Sequence, residues 1–207
     1  MRNPMTTLKS NTPKKRSPPG RIKIMKALTT LLKKKDFHSI TTAGIAAQAG
    51  ITEGLIYKYF TDKKGLLYEV LKEHFESFLK GIEQNIKAED SSLARLSIII
   101  ETTIASYAGN RVFARILLLE VRNSPDYFNC AAYGLVKIYA ATILEIILQG
   151  QALGEINTDV DPHVFRQVIL GAMEHACLGE VLFGSRMNTK QVSEKICRIL
   201  FKGVQSS

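Results

Sequence analysis

A chain of 207 residues with an apolar fraction of 45% is long enough to bury one substantial core and a smaller one, which excludes overall disorder. Its formal charge of +9 is unevenly placed: residues 1–72 hold 15 Lys or Arg against 4 Asp or Glu, whereas residues 73–207 hold 13 against 15. The first third therefore attracts a polyanion, nucleic acid or an anionic membrane surface, and the remainder needs another role.

Residues 1–20, MRNPMTTLKSNTPKKRSPPG, combine four prolines and five basic residues with little bulk, so the expectation is a flexible basic tail. Such a tail is either an unstructured leader or an arm that reaches DNA. Beyond it, Ile24, Leu28, Leu31 and Leu32 recur at helical spacing and predict an amphipathic helix over about 21–35, with Phe37 and Ile40 in a short connection. Thr41 suits the cap of a second helix carrying Ile45, Ala46 and Ala49, and Gly50 ends it by accepting the left-handed conformation. Thr52 suits the cap of a third, with Leu55, Ile56 and Tyr57. Two short helices around a Gly-containing turn, behind a longer supporting helix, predict a helix-turn-helix over 21–67. Thr61 or Asp62 caps a fourth helix from about Lys63 to 82, whose stripe is Leu67, Val70, Leu71, Phe75, Phe78 and Ile82.

Residues 68–207 then read as one larger helical unit. Apolar-periodic segments cover roughly 92–108, 111–122, 127–150, 162–183 and 189–202, separated by Ser124-Pro125, Gly154 to Asn157, Asp161-Pro162 and Gly184-Ser185. No alternating run supports a strand. The expected fold class is all-α, about nine helices.

Residues 41–67, TTAGIAAQAGITEGLIYKYFTDKKGLL, resemble the helix-turn-helix of TetR/AcrR-type transcriptional regulators, with their Thr-rich opening, Ile-Ala pair, Ala-Gly turn, aromatic pair ending in Phe, and Lys-containing start to the next helix. From residue chemistry alone, Ala46, Gly50, Ile51, Ile56 and Phe60 are packing residues. Thr42, Thr52, Tyr57, Tyr59 and Lys63 carry hydroxyls and an ammonium near helix N-termini, which suits phosphate oxygens. Thr42 and Thr52 also read as simple caps, and Tyr59 as half-buried. The resemblance implies that Thr42, Tyr57 and Lys63 anchor the DNA backbone. Base readout then falls to Glu53, Gly54, Leu55 and Lys58; Lys58 can donate to guanine and Leu55 can meet a thymine methyl. Ala43 and Leu55 depart from residues common in the family, so the resemblance does not specify an operator sequence.

The same resemblance implies a homodimer with two heads about 34 Å or more apart on a palindromic operator. Dimerisation falls to the last two helices, through Val168, Ala172, His175, Ala176 and Gly179 on one and Val192, Ile196, Ile199 and Leu200 on the other, although such stripes also suit packing within one subunit. An effector-binding chamber is implied among Ile99, Thr103 and Tyr107; Phe113 and Leu117; Tyr127, Phe128 and Tyr133; Tyr139; and Phe165, Ile169 and Met173. Each of these equally suits an ordinary core. His175, beside Glu174, suits either a ligand headgroup or an interface.

Residues 111–128, RVFARILLLEVRNSPDYF, are similar to the matching stretch of the branch that controls fatty-acid metabolism, which implies long-chain acyl-CoA or a fatty acid as effector, with Arg111, Arg115 and Arg122 near a phosphate-bearing headgroup. The multidrug-exporter branch, which takes diverse hydrophobic drugs in the same place, implies the alternative. The resemblance also implies that effector binding releases DNA, so the expected role is that of a repressor.

The chain lacks a Gly-rich phosphate loop and a nucleophile elbow, and His38, His74, His163 and His175 lack metal-ligand spacing, so neither enzyme, cofactor nor metal is expected. Cys130, Cys177 and Cys197 read as small hydrophobes in a reducing compartment. With neither an export leader nor an apolar stretch expected to cross a bilayer, the expected location is the cytoplasm without membrane contact. A purely architectural DNA binder would share the head but need no chamber.

Overall fold

The computed structural model describes residues 17–204, and among them the chain is helical with no strand. The basic tail expected over 1–20 lies outside the described residues up to position 16. Its last two positions already belong to α1 (Pro19–Leu32), because a proline at the first helical position has no N–H to leave unpaired. Ile24, Leu28 and Leu32 recur every four residues and are buried. A single 3-10 turn over Phe37–Ser39 leads to α2 (Thr42–Ala49). Thr41 Oγ1 accepts the Gly44 N–H at 3.0 Å, and Gly50, at φ 65° and ψ 43°, turns the chain into α3 (Glu53–Tyr59). Ile45, Ile56, Phe60 and Leu66 close a small core beneath these helices.

Asp62 rather than Thr61 caps α4 (Lys63–Ile86), taking the Gly65 N–H at 2.6 Å. This helix runs uninterrupted for 24 residues, past the expected end near 82, because Ile86 continues its buried stripe. Arg21 of α1 pairs with Glu69 and, at 3.6 Å, with Glu73, while its guanidinium stands over the Phe60 ring, so α1 and α4 are clamped side by side.

Five further helices form the larger unit: α5 (Ser92–Gly109), α6 (Arg111–Arg115), α7 (Ala131–Ala152), α8 (Pro162–Phe183) and α9 (Thr189–Lys202). The expected single helix over 111–122 is broken. After α6 the chain widens into a π turn over Ile116–Glu120, then tightens into 3-10 turns over Val121–Asn123 and Pro125–Asn129. Consequently α7 begins at 131 and not 127, and Tyr127 and Phe128 lie in a turn. The ends of α8 coincide with the expectation: Asp161 accepts the N–H groups of His163 and Val164, and Gly184 leaves the helix at φ 75°.

By length and composition α7 is apolar enough to cross a bilayer, with a mean hydropathy of 1.6 over 18 residues, contrary to the expectation that no stretch would be. In this fold it packs against α4, α5 and α8, burying Leu135, Tyr139, Ile143, Ile146 and Ile147. Each such aliphatic side chain contributes about 1.5–3 kcal/mol on burial. At the far end of α7, Gly150 lets Ile156 and Ser92 approach so closely that an added Cβ would stand 2.7 Å from Ile156 Cδ1.

Candidate functional site

The surface of α3 has two faces. Leu55 and Tyr59, one turn apart, are half-buried and face Gly20 at the start of α1, where an added Cβ would meet the Tyr59 ring at 3.3 Å and the Leu55 methyl at 3.4 Å. Glu53, Gly54, Tyr57 and Lys58 form the opposite, exposed face, with Tyr57 54% exposed. Thr52 stands at the N-cap position but its hydroxyl makes no capping bond, leaving it exposed beside the helix start. Thr42, in the first turn of α2, donates its hydroxyl hydrogen to the Glu53 carboxylate and so ties α2 to α3. This pair fixes the angle between the two helices from outside, as Ile45 and Ile56 do from within.

Lys63 is turned inward more than its neighbours. Its ammonium donates to the carbonyls of Ile40 at 2.7 Å and Phe37 at 3.0 Å, and sits 4.5 Å from the centre of the Phe37 ring. Partial burial holds its pKa below the ordinary lysine value. The side chain thus fastens the 37–40 turn to the start of α4.

Within the larger unit, a cavity of about 80 Å3 lies between α4, α5, α7 and α8. Six of the twelve expected effector residues line it: Thr103, Tyr107, Phe113, Leu117, Tyr139 and Met173. The other six do not. Ile99, Phe165 and Ile169 are buried in the core, while Tyr127, Phe128 and Tyr133 stack with one another in a separate aromatic group that also takes in Tyr68. Sequence reasoning missed the contribution of α4, which sends His74, Phe75 and Phe78 into the cavity. The signal for Phe75 and Phe78 was present in the α4 stripe, which carries these two aromatic rings three residues apart, whereas His74 lay outside that stripe.

The polar groups of the cavity are mostly paired. Thr103 Oγ1 and Tyr139 Oη lie 2.7 Å apart, and Arg122 donates through both terminal nitrogens to the Glu174 carboxylate at 2.9 and 2.5 Å. Burial raises the phenol pKa of both Tyr107 and Tyr139, so these rings stay neutral and serve as hydrogen-bonding groups. His175, by contrast, is exposed on the outer side of α8 and is not among the lining residues.

That outer side of α8 is apolar without a covering element: Val164, Val168, Leu182 and Phe183 are exposed, Phe183 to 83%, with Gly171 exposed between them. Ala172, Ala176 and Gly179 are half-buried. On α9, Ile199 is 73% exposed, whereas Val192, Ile196 and Leu200 pack against the core of the same chain. Cys177 is buried, which pushes its thiol up to about 11, and Cys130 and Cys197 are half-buried. Among the described residues no group of His, Cys, Asp or Glu is placed to hold a metal ion.

Comparison with known proteins matches both halves. Residues 24–70 fit the family described as bacterial regulatory proteins, tetR family, and residues 71–203 fit the family described as YsiA-like protein, C-terminal region. The fatty acid metabolism regulator protein of Bacillus subtilis (strain 168) is 25% identical over 192 residues, which is 93% of this chain and 99% of that one. Among solved structures, the fatty acid degradation regulator FadR from Bacillus halodurans is similar with a TM-score of 0.81 at 21% identity, covering 93% of this chain and 100% of that one. FadR from Bacillus subtilis, in complex with stearoyl-CoA, is similar with a TM-score of 0.80 at 25% identity, covering 89% and 99%. An exposed short helix on a packed support, followed by a larger helical unit, is matched by family from residue 24 to residue 203, and the chain belongs to the TetR family of bacterial transcriptional regulators.

Proposed function

We propose that this regulator is a homodimeric repressor that holds a palindromic operator through two copies of α3 and releases it when a long-chain acyl-CoA or fatty acid fills the cavity of the larger unit. The observation that carries this reading is the placement of α4: its first residue, Lys63, fastens the head, and three turns later His74, Phe75 and Phe78 enter the cavity wall. Whatever changes the cavity acts on the rod that carries the head. A ligand that prefers the DNA-incompetent spacing about 100-fold opposes operator binding by about 2.7 kcal/mol.

Support for the effector class comes from the cavity and from the relatives. The lining is dominated by aromatic and aliphatic side chains with a few hydroxyls, as a lipid chain requires. The 25%-identical relative is named a fatty acid metabolism regulator, and a structural relative was solved with stearoyl-CoA. Thr52 and Tyr57 serve the phosphate backbone, and Glu53, Gly54 and Lys58 the base edges, whereas Lys63 and Thr42, expected to anchor the backbone, have their donors engaged within the head and act by holding α3 in place. Leu55 and Tyr59 contribute from the margin of that surface. The site of action is the cytoplasm, where operator and acyl-CoA meet.

Selection of bound sites from random duplexes, followed by release assays with acyl-CoAs, fatty acids and hydrophobic drugs, tests the whole reading. A palindromic consensus released by acyl-CoA supports it. Release by drugs alone transfers the protein to the exporter-repressor reading, and an absence of any sequence preference removes the repressor.

A further inference from the structure

The cavity shares a wall with a second hollow. A groove of about 550 Å3 runs between α1, α4 and α6, lined by Lys26 and Lys33 from α1, Glu73 and His74 from α4, and Phe113 from α6 among others. His74 and Phe113 also line the inner cavity. Their rings stack with centroids 3.4 Å apart, so the pair stands between the two hollows. Alone, the inner cavity lies below the roughly 300–1,000 Å3 of small-molecule sites; joined to the groove, it falls within that range.

One atom at the wall is unaccounted for. His74 Nε2 is buried and has no hydrogen-bond partner, whereas Thr103 and Tyr139 satisfy each other and Arg122 and Glu174 are paired. A buried polar atom left unpaired costs about 1–3 kcal/mol and calls for a partner. Burial lowers the His74 pKa, which favours the neutral ring, able to donate from one nitrogen. The charges change across the wall as well: Lys26 and Lys33 lie on the groove side, where Glu73 is engaged by Arg21 at 3.6 Å.

Resting on the acyl-CoA reading above, we propose that His74 is the residue that recognises the thioester, with the ligand lying through the His74–Phe113 wall. The acyl chain enters the inner cavity, the thioester carbonyl accepts a hydrogen bond from His74 Nε2, and the phosphate-bearing end lies in the groove toward Lys26 and Lys33. A hydrocarbon lacking the carbonyl fills the same space but leaves the imidazole unsatisfied.

Calorimetry with three probes separates the parts: stearoyl-CoA, the S-octadecyl thioether of CoA that lacks the carbonyl, and stearate. The full-length wild type is expected to bind the thioester about tenfold more tightly than the thioether. His74→Phe keeps a ring against Phe113 and is expected to bind the two CoA ligands equally, while His74→Gln, which retains a donor, keeps a preference. Lys26→Ala with Lys33→Ala is expected to weaken both CoA ligands about tenfold and to leave stearate unchanged. Thermal melts of each variant separate misfolding from lost recognition. A preference retained in folded His74→Phe, or absent from the wild type, overturns this inference alone. Unchanged CoA affinity in the lysine variant overturns the placement of the phosphate end. Wild type that binds neither CoA ligand nor stearate brings down the acyl-CoA reading and this inference together.

Discussion

Tyr57 and Lys58 are neighbours on the exposed face of α3, yet their chemistry assigns them different work. A phenol hydroxyl suits a phosphate oxygen, which is the same on every duplex, while an ammonium in the groove can select guanine. Tyr57→Ala should therefore weaken binding to specific and random duplexes alike, and Lys58→Ala should narrow the gap between them; titrations on both duplex types check this, and equal effects in the two variants would refute the division. The head was legible at this scale because caps, turn glycine and packing residues are local features, as Thr41 and Gly50 show. Lys63 was less so, since its engagement with the Phe37 and Ile40 carbonyls depends on residues more than twenty positions away. His74 makes a second prediction. Burial holds its folded pKa below the ordinary value of 6.5, so the unfolded chain binds more protons as pH falls through that region. Its contribution to stability is complete above the unfolded pKa and is lost on acidification. Urea denaturation at pH 7.5 and pH 5 should show this loss in the wild type and a smaller one in His74→Phe.

Helices punctuated by strong local signals were read to the residue, and those shaped by tertiary packing were not. For α8, Asp161-Pro162 and Gly184 settle the ends before any packing is considered, and the structure adds Asn188 as the cap of α9, which the sequence reading did not single out. The run 111–122 carries the apolar period of a helix, but nothing in it announces the π turn over Ile116–Glu120, which sets Leu117 in the cavity wall while Glu120 lies 3.1 Å from His38 of the head. Arg115 in the preceding turn reaches Asp36 at 2.6 Å, and the Tyr68 hydroxyl donates to Ser124 Oγ at 3.1 Å, so this segment touches head and cavity at once. The shift in the start of α7 follows from that irregularity and explains why Tyr127, Phe128 and Tyr133 gather away from the cavity. At the other end of α7, the packing of Gly150 against Ile156 leaves no room for a methyl group. Gly150→Ala is expected to lower unfolding free energy by about 1–3 kcal/mol through overpacking, outweighing its gain in helix propensity; chemical denaturation measures it, and a stabilised variant would contradict the geometry.

For the whole molecule, the uncovered side of α8 is the feature that a single chain does not explain. Val164, Val168 and Phe183 face outward on a helix whose opposite side is fully used. A second copy placed there would give the two heads that a palindrome needs, and the wild type should sediment as a dimer at micromolar concentration. Val168→Arg should shift it toward monomer and weaken palindromic DNA far more than a single half-site; a wild-type monomer would remove the two-headed reading. Such a surface was visible in the sequence only as spacing, because an outward stripe and an inward one look alike until the neighbours are placed, as the inward turn of Ile196 and Leu200 beside the exposed Ile199 illustrates. The clamp of Arg21 on Glu69 and Glu73 has a mechanical outcome. It ties the front of α4 to α1, and on the proposed reading that stiffened stretch moves as a lever. Eleven residues separate His74 from Lys63, an arm of about 16 Å, and a tilt of about 5° at the cavity swings the fulcrum's far end by roughly 1.4 Å. On the proposed reading, Arg21→Ala should still bind operator and acyl-CoA separately but lose release of one by the other; release as complete as in the wild type would contradict the lever.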